Sequence, residues 1–236
     1  SLTIIGNMFK DCGGNGLSFI TPTTGTGTET YGSPVERVTI ANNELINTIL
    51  MVYRGKGILV TGNRFVWTNA VGSGGTKLVQ VDRCTDVTVK GNLFKGGGTG
   101  VFISSSAPAA GATKWLIGSG ILVEGNTLRD QLEGGITVGS VTGFAYRAVT
   151  IKGNIVVTTT AQAAGYVGVW GERGCLVEGN NIDIANNRGI RTGGDVIASP
   201  AGVPGTVVIG NYIRTPGESI RIDGGYQSVI VQRNYT

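Results

Sequence analysis

Apolar and polar residues alternate in short runs along the whole chain, and nine of these runs end in Asn, most often as Gly-Asn. The copies are Leu2-Thr-Ile-Ile-Gly-Asn7, Val38-Thr-Ile-Ala-Asn-Asn43, Ile58-Leu-Val-Thr-Gly-Asn63, Val87-Thr-Val-Lys-Gly-Asn92, Ile121-Leu-Val-Glu-Gly-Asn126, Val149-Thr-Ile-Lys-Gly-Asn154, Cys175-Leu-Val-Glu-Gly-Asn180, Thr206-Val-Val-Ile-Gly-Asn211 and Val229-Ile-Val-Gln-Arg-Asn234. In eight of them the residue two places after the Asn is apolar: Phe9, Leu45, Phe65, Phe94, Leu128, Val156, Ile182 or Ile213. Period-two alternation bounded by turn residues predicts strands. A second run follows each Asn, as in Leu17-Ser-Phe-Ile, Ile49-Leu-Met-Val-Tyr, Leu78-Val-Gln-Val-Asp and Ile220-Arg-Ile-Asp. Each repeat therefore holds at least two strands and a bend.

The Asn-to-Asn intervals are 36, 20, 29, 34, 28, 26, 31 and 23 residues. Such unequal spacing excludes a helical repeat, where packing fixes the length, and suits coils of strands whose connecting turns stretch. Gly and Asn tolerate positive φ, so the dipeptide turns the backbone sharply. The strand signal does not return at once in mirror order, as a hairpin requires. The expected solution is an all-β right-handed parallel β-helix of about nine coils, with rungs about 4.8 Å apart. Equivalent Asn side chains then bond to one another in a buried ladder. On this reading the nine Asn residues are structural, and residues 1–236 form a single domain.

The Gly-Asn coil pattern resembles the right-handed parallel β-helix proteins of the pectate-lyase-like group, which includes polygalacturonases, mannuronan epimerases and phage tailspikes. The resemblance covers nearly the whole chain and implies a fold, not one reaction. It is similar to a tailspike most of all, because the Gly-His-Gly of polygalacturonases and the Asp-Pro-His of mannuronan epimerases are missing, and Ile220-Arg-Ile-Asp is only a faint echo of the polygalacturonase Arg-Ile-Lys. The implied partner is a bacterial surface polysaccharide, the implied location extracellular or virion, and the implied assembly a homotrimer. Both ends of the chain lie next to repeat strands, so a fragment of a longer β-helix is expected.

Composition narrows the chemistry. The 41 glycines show no Gly-X-Y period, which makes them turn residues rather than collagen. The chain contains no histidine, excluding a Ser-His-Asp triad and a histidine base and leaving Asp, Glu, Arg, Lys and Tyr for proton transfer. Cys12, Cys84 and Cys175 are far apart with no Cys-x-x-Cys spacing, so no metal site is expected. A net charge of +4, scattered, gives no nucleic-acid patch, and no apolar stretch is long enough to insert in a membrane.

Registering the second runs yields two columns. The position just beyond each run reads Thr21, Arg54, Asp82, Ser105, Ser140, Glu172, Asp195 and Asp223, and an outward position reads Ser18, Met51, Gln80, Phe102, Thr137, Gly168, Arg191 and Arg221. Glu172, Asp195 and Asp223 are thereby expected as a catalytic acidic cluster. Carboxylates about 5 Å apart on adjacent coils, or about 9.6 Å apart two coils away, match the separations used in glycoside hydrolysis. Crowding of like charges is expected to raise one pKa. Arg191 and Arg221, with Trp115, Trp170 and Tyr166, are the expected substrate-binding side chains, the rings stacking on sugar faces. The leading reading is a glycoside hydrolase that needs no cofactor. A lyase or epimerase on uronic-acid polymers, using calcium, and a non-catalytic adhesin or shaft are the alternatives.

Overall fold

The computed structural model describes residues 1–12, 16–20, 23–24, 30–31, 35–70, 75–105, 118–140, 146–159, 162, 166–171, 175–192, 205–223 and 229–236. The alternating runs pair with their own repeats and not with their neighbours in sequence. Three parallel sheets result, of nine, eight and eight strands, each adding one strand per coil. The first sheet holds the runs that precede the Asn, such as Val87 in Thr85–Lys90, and the third holds the second runs, such as Lys77–Asp82. Between them lies a second sheet of three-residue strands such as Leu93–Lys95, which alternation alone did not separate from the bend. The chain is a right-handed parallel β-helix, as expected. An antiparallel hairpin of Thr23–Thr24 with Thr30–Tyr31 interrupts the connection from the third sheet to the first in the opening coil. Among the described residues no helix is long and apolar enough to cross a membrane.

Each Asn of the repeat satisfies the next. The backbone N–H and Nδ2 of Asn92 both donate to Oδ1 of Asn126, at 3.0 Å each, and the same pair of bonds links every successive Asn from Asn7 to Asn234. The Nδ2 group also donates to a strand carbonyl of the preceding coil, Val60 in the case of Asn92. The residue before the Asn adopts positive φ, between 60° and 70° in the seven copies with Gly and 54° and 52° at Asn42 and Arg233. That requirement explains why Gly dominates there.

Inside the coils, aligned apolar residues stack rung on rung. Phe65 and Phe94 are fully buried with ring centroids 4.8 Å apart and planes at 14°. Phe9 lies in the same column but one coil further on, behind Leu45. A second interior column, Gly100, Gly135, Gly168 and Gly189, marks the entry to the third sheet. A side chain at Gly168 would stand 2.8 Å from the Gly189 carbonyl oxygen and from Ile182 Cγ2, so these glycines are there for lack of space.

Candidate functional site

The third sheet presents one outward column in unbroken register: Ser18, Met51, Gln80, Phe102, Thr137, Trp170, Arg191 and Arg221. Trp170 occupies the place expected for Gly168, which belongs instead to the interior glycine column. The extra residue that this column inserts at the strand entry displaces the register. Asp82 aligns with Ser104, not Ser105, because Asp82 closes its own run whereas Ser105 lies one residue past the corresponding run, and Ser104 Oγ donates to Asp82 at 3.4 Å.

The last three coils gather charge on this face. The Arg191 guanidinium lies 4.4 Å from the Trp170 ring centroid, a cation–π contact. Its Nε donates to Asp223 Oδ2, and Arg221 Nε donates to Asp223 Oδ1 at 2.7 Å. Arg188 Nε donates to Glu218 Oε2 at 2.6 Å, and Arg221 Nη1 is 3.5 Å from that oxygen. A chain of charges thus runs Arg188, Glu218, Arg221, Asp223, Arg191, ending on Trp170. Three guanidiniums against two carboxylates leave the described cluster positive. Each arginine is anchored through Nε, and Arg221 Nη1 also faces Glu218, so the two carboxylates hold the three guanidiniums in place.

Of the expected site residues, Arg191, Arg221, Trp170 and Asp223 come together here. Glu172, Asp195 and Trp115 lie outside the described residues. Tyr166 is a correction: it is wholly buried in the core beside the entry to the third sheet, its hydroxyl pKa pushed up by burial and the Asp130 charge, and its ring is closed to a ligand. The expectation of a carboxyl raised by like charges is also corrected at Asp223. Burial is the largest influence and opposes ionisation, but the hydrogen bonds from Arg221 and Arg191 outweigh it and hold the carboxyl below its ordinary range. Glu218 is likewise held down, by the Arg188 hydrogen bond first. Arg188 and Glu218 were not anticipated. The apolar alternation shows only from Ile190 onward, whereas the third-sheet strand starts at Arg188, in register with Val167.

The soft donors of the chain sit elsewhere. Cys84 is buried where the third sheet turns into the first, its sulfur accepting the Gly55 N–H at 3.1 Å and facing the Asp82 carbonyl at 3.3 Å. Burial pushes its thiol pKa up to about 12. Cys175 fills an interior position in line with Val149. Cys12 is exposed in the first coil, and none of the three is in a disulfide. Met8 belongs to the second sheet and Met51 to the third. Among the described residues no group of three or more Cys, Asp or Glu is placed to hold a metal ion.

No curated protein matches the chain. A family model does, the one described as periplasmic copper-binding protein (NosD), over residues 36–235, which takes in every coil but the first, and the chain belongs to that family.

Proposed function

We propose that the chain is a polysaccharide-binding β-helix acting outside the cytoplasm, and that the outer face of its third sheet is the contact surface. The observation that carries this is the trio of guanidiniums, Arg188, Arg191 and Arg221, fixed by Nε hydrogen bonds and ion pairs next to Trp170. A fixed fork loses little entropy on meeting a carboxylate or a pair of hydroxyls, and an indole edge supplies apolar surface beside it. Gln80, Phe102 and Thr137 continue the same column, so a ligand can lie along the axis, one rung about every 4.8 Å, a rise comparable to one sugar unit in an extended glycan. The family description supports a location outside the cytoplasm. The copper in that description does not suit the donors present: there is no imidazole, and both thiols within the matched residues are buried and engaged in packing or turn hydrogen bonds.

Binding is favoured over hydrolysis because Asp223 serves as a fixed counter-ion between two arginines, the opposite of the poised acid that glycoside cleavage needs. A tailspike-type depolymerase would have to draw its acid from Glu172 or Asp195. The test is a glycan array of bacterial surface polysaccharides, read with wild type, Trp170→Ala and Arg191→Gln, followed by mass analysis of any product. Retention on acidic glycans, lost in both variants, is expected. Equal retention by all three proteins removes this face from consideration. Hydrolysed fragments would restore the depolymerase, and calcium-dependent unsaturated ones the lyase.

A further inference from the structure

We infer that this chain has parted from the copper chemistry for which its family is named: neither oxidation state of the metal finds a set of ligands on it. Cuprous copper is held by thiolates and thioethers, cupric copper by imidazoles and by nitrogen and oxygen donors in a square. Histidine is absent from all 236 residues. The remaining soft donors are two methionines and three cysteines, and every one of them is in the described part of the chain.

Their positions forbid a shared ion. The fold sends Met8 to the second sheet, in register with Glu44, and Met51 to the outward column of the third, between Ser18 and Gln80. Cys84 and Cys175 face the interior. Cys84 already holds the Gly55 N–H and contacts the carbonyls of Val52 and Asp82, which closes the turn between two coils; a metal would have to break that turn. Cys175 is buried in the core, with no exposed face through which an ion could reach its sulfur. Its column neighbours are Val149 on one side and Thr206 on the other, and a single buried hydroxyl beside one thiol is short of a copper ligand set. Of the three cysteines only Cys12 faces solvent. The oxygen donors next to it are already engaged: Asp11 Oδ1 accepts from Asn47 Nδ2 at 2.9 Å and Thr48 Oγ1 donates to the Ile46 carbonyl at 3.0 Å. Moreover, Cys12 and Met8 precede residue 36, where the family match begins. A matched segment whose soft donors are a half-buried Met51 and two buried cysteines on separate coils lacks the ligand count for either ion.

Among the described residues no group of three or more Cys, Asp or Glu is placed to hold a metal ion, and the carboxylates held in ion pairs offer no substitute. Asp223 and Glu218 are bound to the arginines described above, Asp183 to Arg214 and Glu124 to both Lys90 and Lys152. A copper ion would have to displace a cation from each of them.

The test uses the 236-residue chain, reduced, in two parallel experiments: cuprous ion delivered by a bathocuproine chelator and cupric ion by equilibrium dialysis, with bound metal measured by atomic absorption and melting followed with and without copper. Wild type is expected to retain far less than one copper per chain, any trace being lost in Cys12→Ser, and its melting temperature is expected to stay where it was. One copper per chain held against the chelator or through dialysis overturns the inference, whether or not Cys12→Ser removes it. So does a melting temperature that rises on copper addition. The Cys12→Ser variant folds independently of the outcome, since Cys12 is exposed. The glycan-binding measurements fail or succeed independently of the copper ones, so the two conclusions are tested apart.

Discussion

Asn126 is the position at which the ladder can be tested most sharply. Its side chain is fully buried and makes four hydrogen bonds: it accepts from the N–H and Nδ2 of Asn92, at 3.0 Å each, and donates to the Val89 carbonyl at 2.9 Å and to Asn154 Oδ1 at 3.0 Å. At about 1 kcal/mol net for each of the four bonds, Asn126→Ala should cost about 4 kcal/mol, the Asn92 N–H being among the groups left buried without a partner. For a chain of this size that corresponds to a fall of roughly 8 to 16 °C in melting temperature.

Asn126→Asp separates hydrogen bonding from packing. The aspartate keeps the shape and the acceptor for Asn92, but its second oxygen faces the Val89 carbonyl and Asn154 Oδ1, both acceptors. The carboxyl is therefore favoured in its neutral form, and its folded pKa lies above the unfolded value of about 3.9. A raised acid pKa gives a penalty that is absent below the unfolded pKa and grows as pH rises through it. Thermal and urea unfolding followed by circular dichroism at pH 4 and pH 7, each against wild type at the same pH, should show a larger loss at pH 7. Asn181→Asp, at an exposed strand position, should stay within about 0.5 kcal/mol at both. An Asn126→Ala protein that melts with wild type, or an Asn126→Asp cost that ignores pH, would show that water reaches the ladder and the reasoning is wrong.

Phe94→Ala should cost about 3 to 5 kcal/mol by opening a cavity beside Phe65, and an unchanged urea midpoint would place Phe94 outside the core. Ala148 has φ 55°, in the bulge column where Gly57 and Gly120 stand, so Ala148→Gly should stabilise by up to about 1 kcal/mol; a loss of stability would mean the residue is not strained. Native protein at pH 8 should expose one thiol to an alkylating reagent, Cys12, with Cys84 and Cys175 modified only on unfolding, as peptide mapping will show. Stability should also fall in acid: Asp223, Asp183, Glu124 and Glu218 have folded pKa values below their unfolded ones, so their contribution is complete above about pH 4 to 5 and is lost as pH drops through the folded values. A melting temperature unchanged between pH 5 and pH 3 would refute that.

Most of the coil was legible because the Asn, the preceding positive-φ residue and the apolar residue two places on answer to constraints repeated in every rung. The three-residue second sheet was hidden because a strand that short gives no alternation to count. The exterior was harder still. Register there depends on the extra interior glycine at the entry to the third sheet, and Gly168 looks outward or inward according to whether that residue is counted. Tyr166 shows the same limit: a tyrosine just before a strand reads as a strand end, but the turn inward at Val167 carries it into the core. Nothing in the local pattern distinguishes the two cases; at Gly168 what decides is the crowding by the Gly189 carbonyl and Ile182 in the neighbouring positions.

The contrast between inward and outward columns is itself an argument about function. Inward positions accept only residues that fill the rung, and they repeat Val, Ile and Leu. A solvent-facing outward position tolerates nearly any residue at a cost within about 0.5 kcal/mol, so stability does not select Met51, Gln80, Phe102, Trp170, Arg191 and Arg221 in that order. The exposed Arg188–Glu218 pair is worth little on its own, and the part-buried pairs on Asp223 lose much of their attraction to desolvation, so the five-member chain from Arg188 to Arg191 stabilises the fold only modestly. If holding the coils together were its purpose, Arg221→Gln should lower the melting temperature and leave glycan retention untouched. If it holds guanidiniums in place for a ligand, the same variant should melt close to wild type and lose retention, with the loss deepening in Arg191→Gln because the contact with Trp170 goes as well. Measuring both quantities on both variants decides between a scaffold and a site, and a variant that loses stability but keeps its ligand would assign the charges on this face to the scaffold.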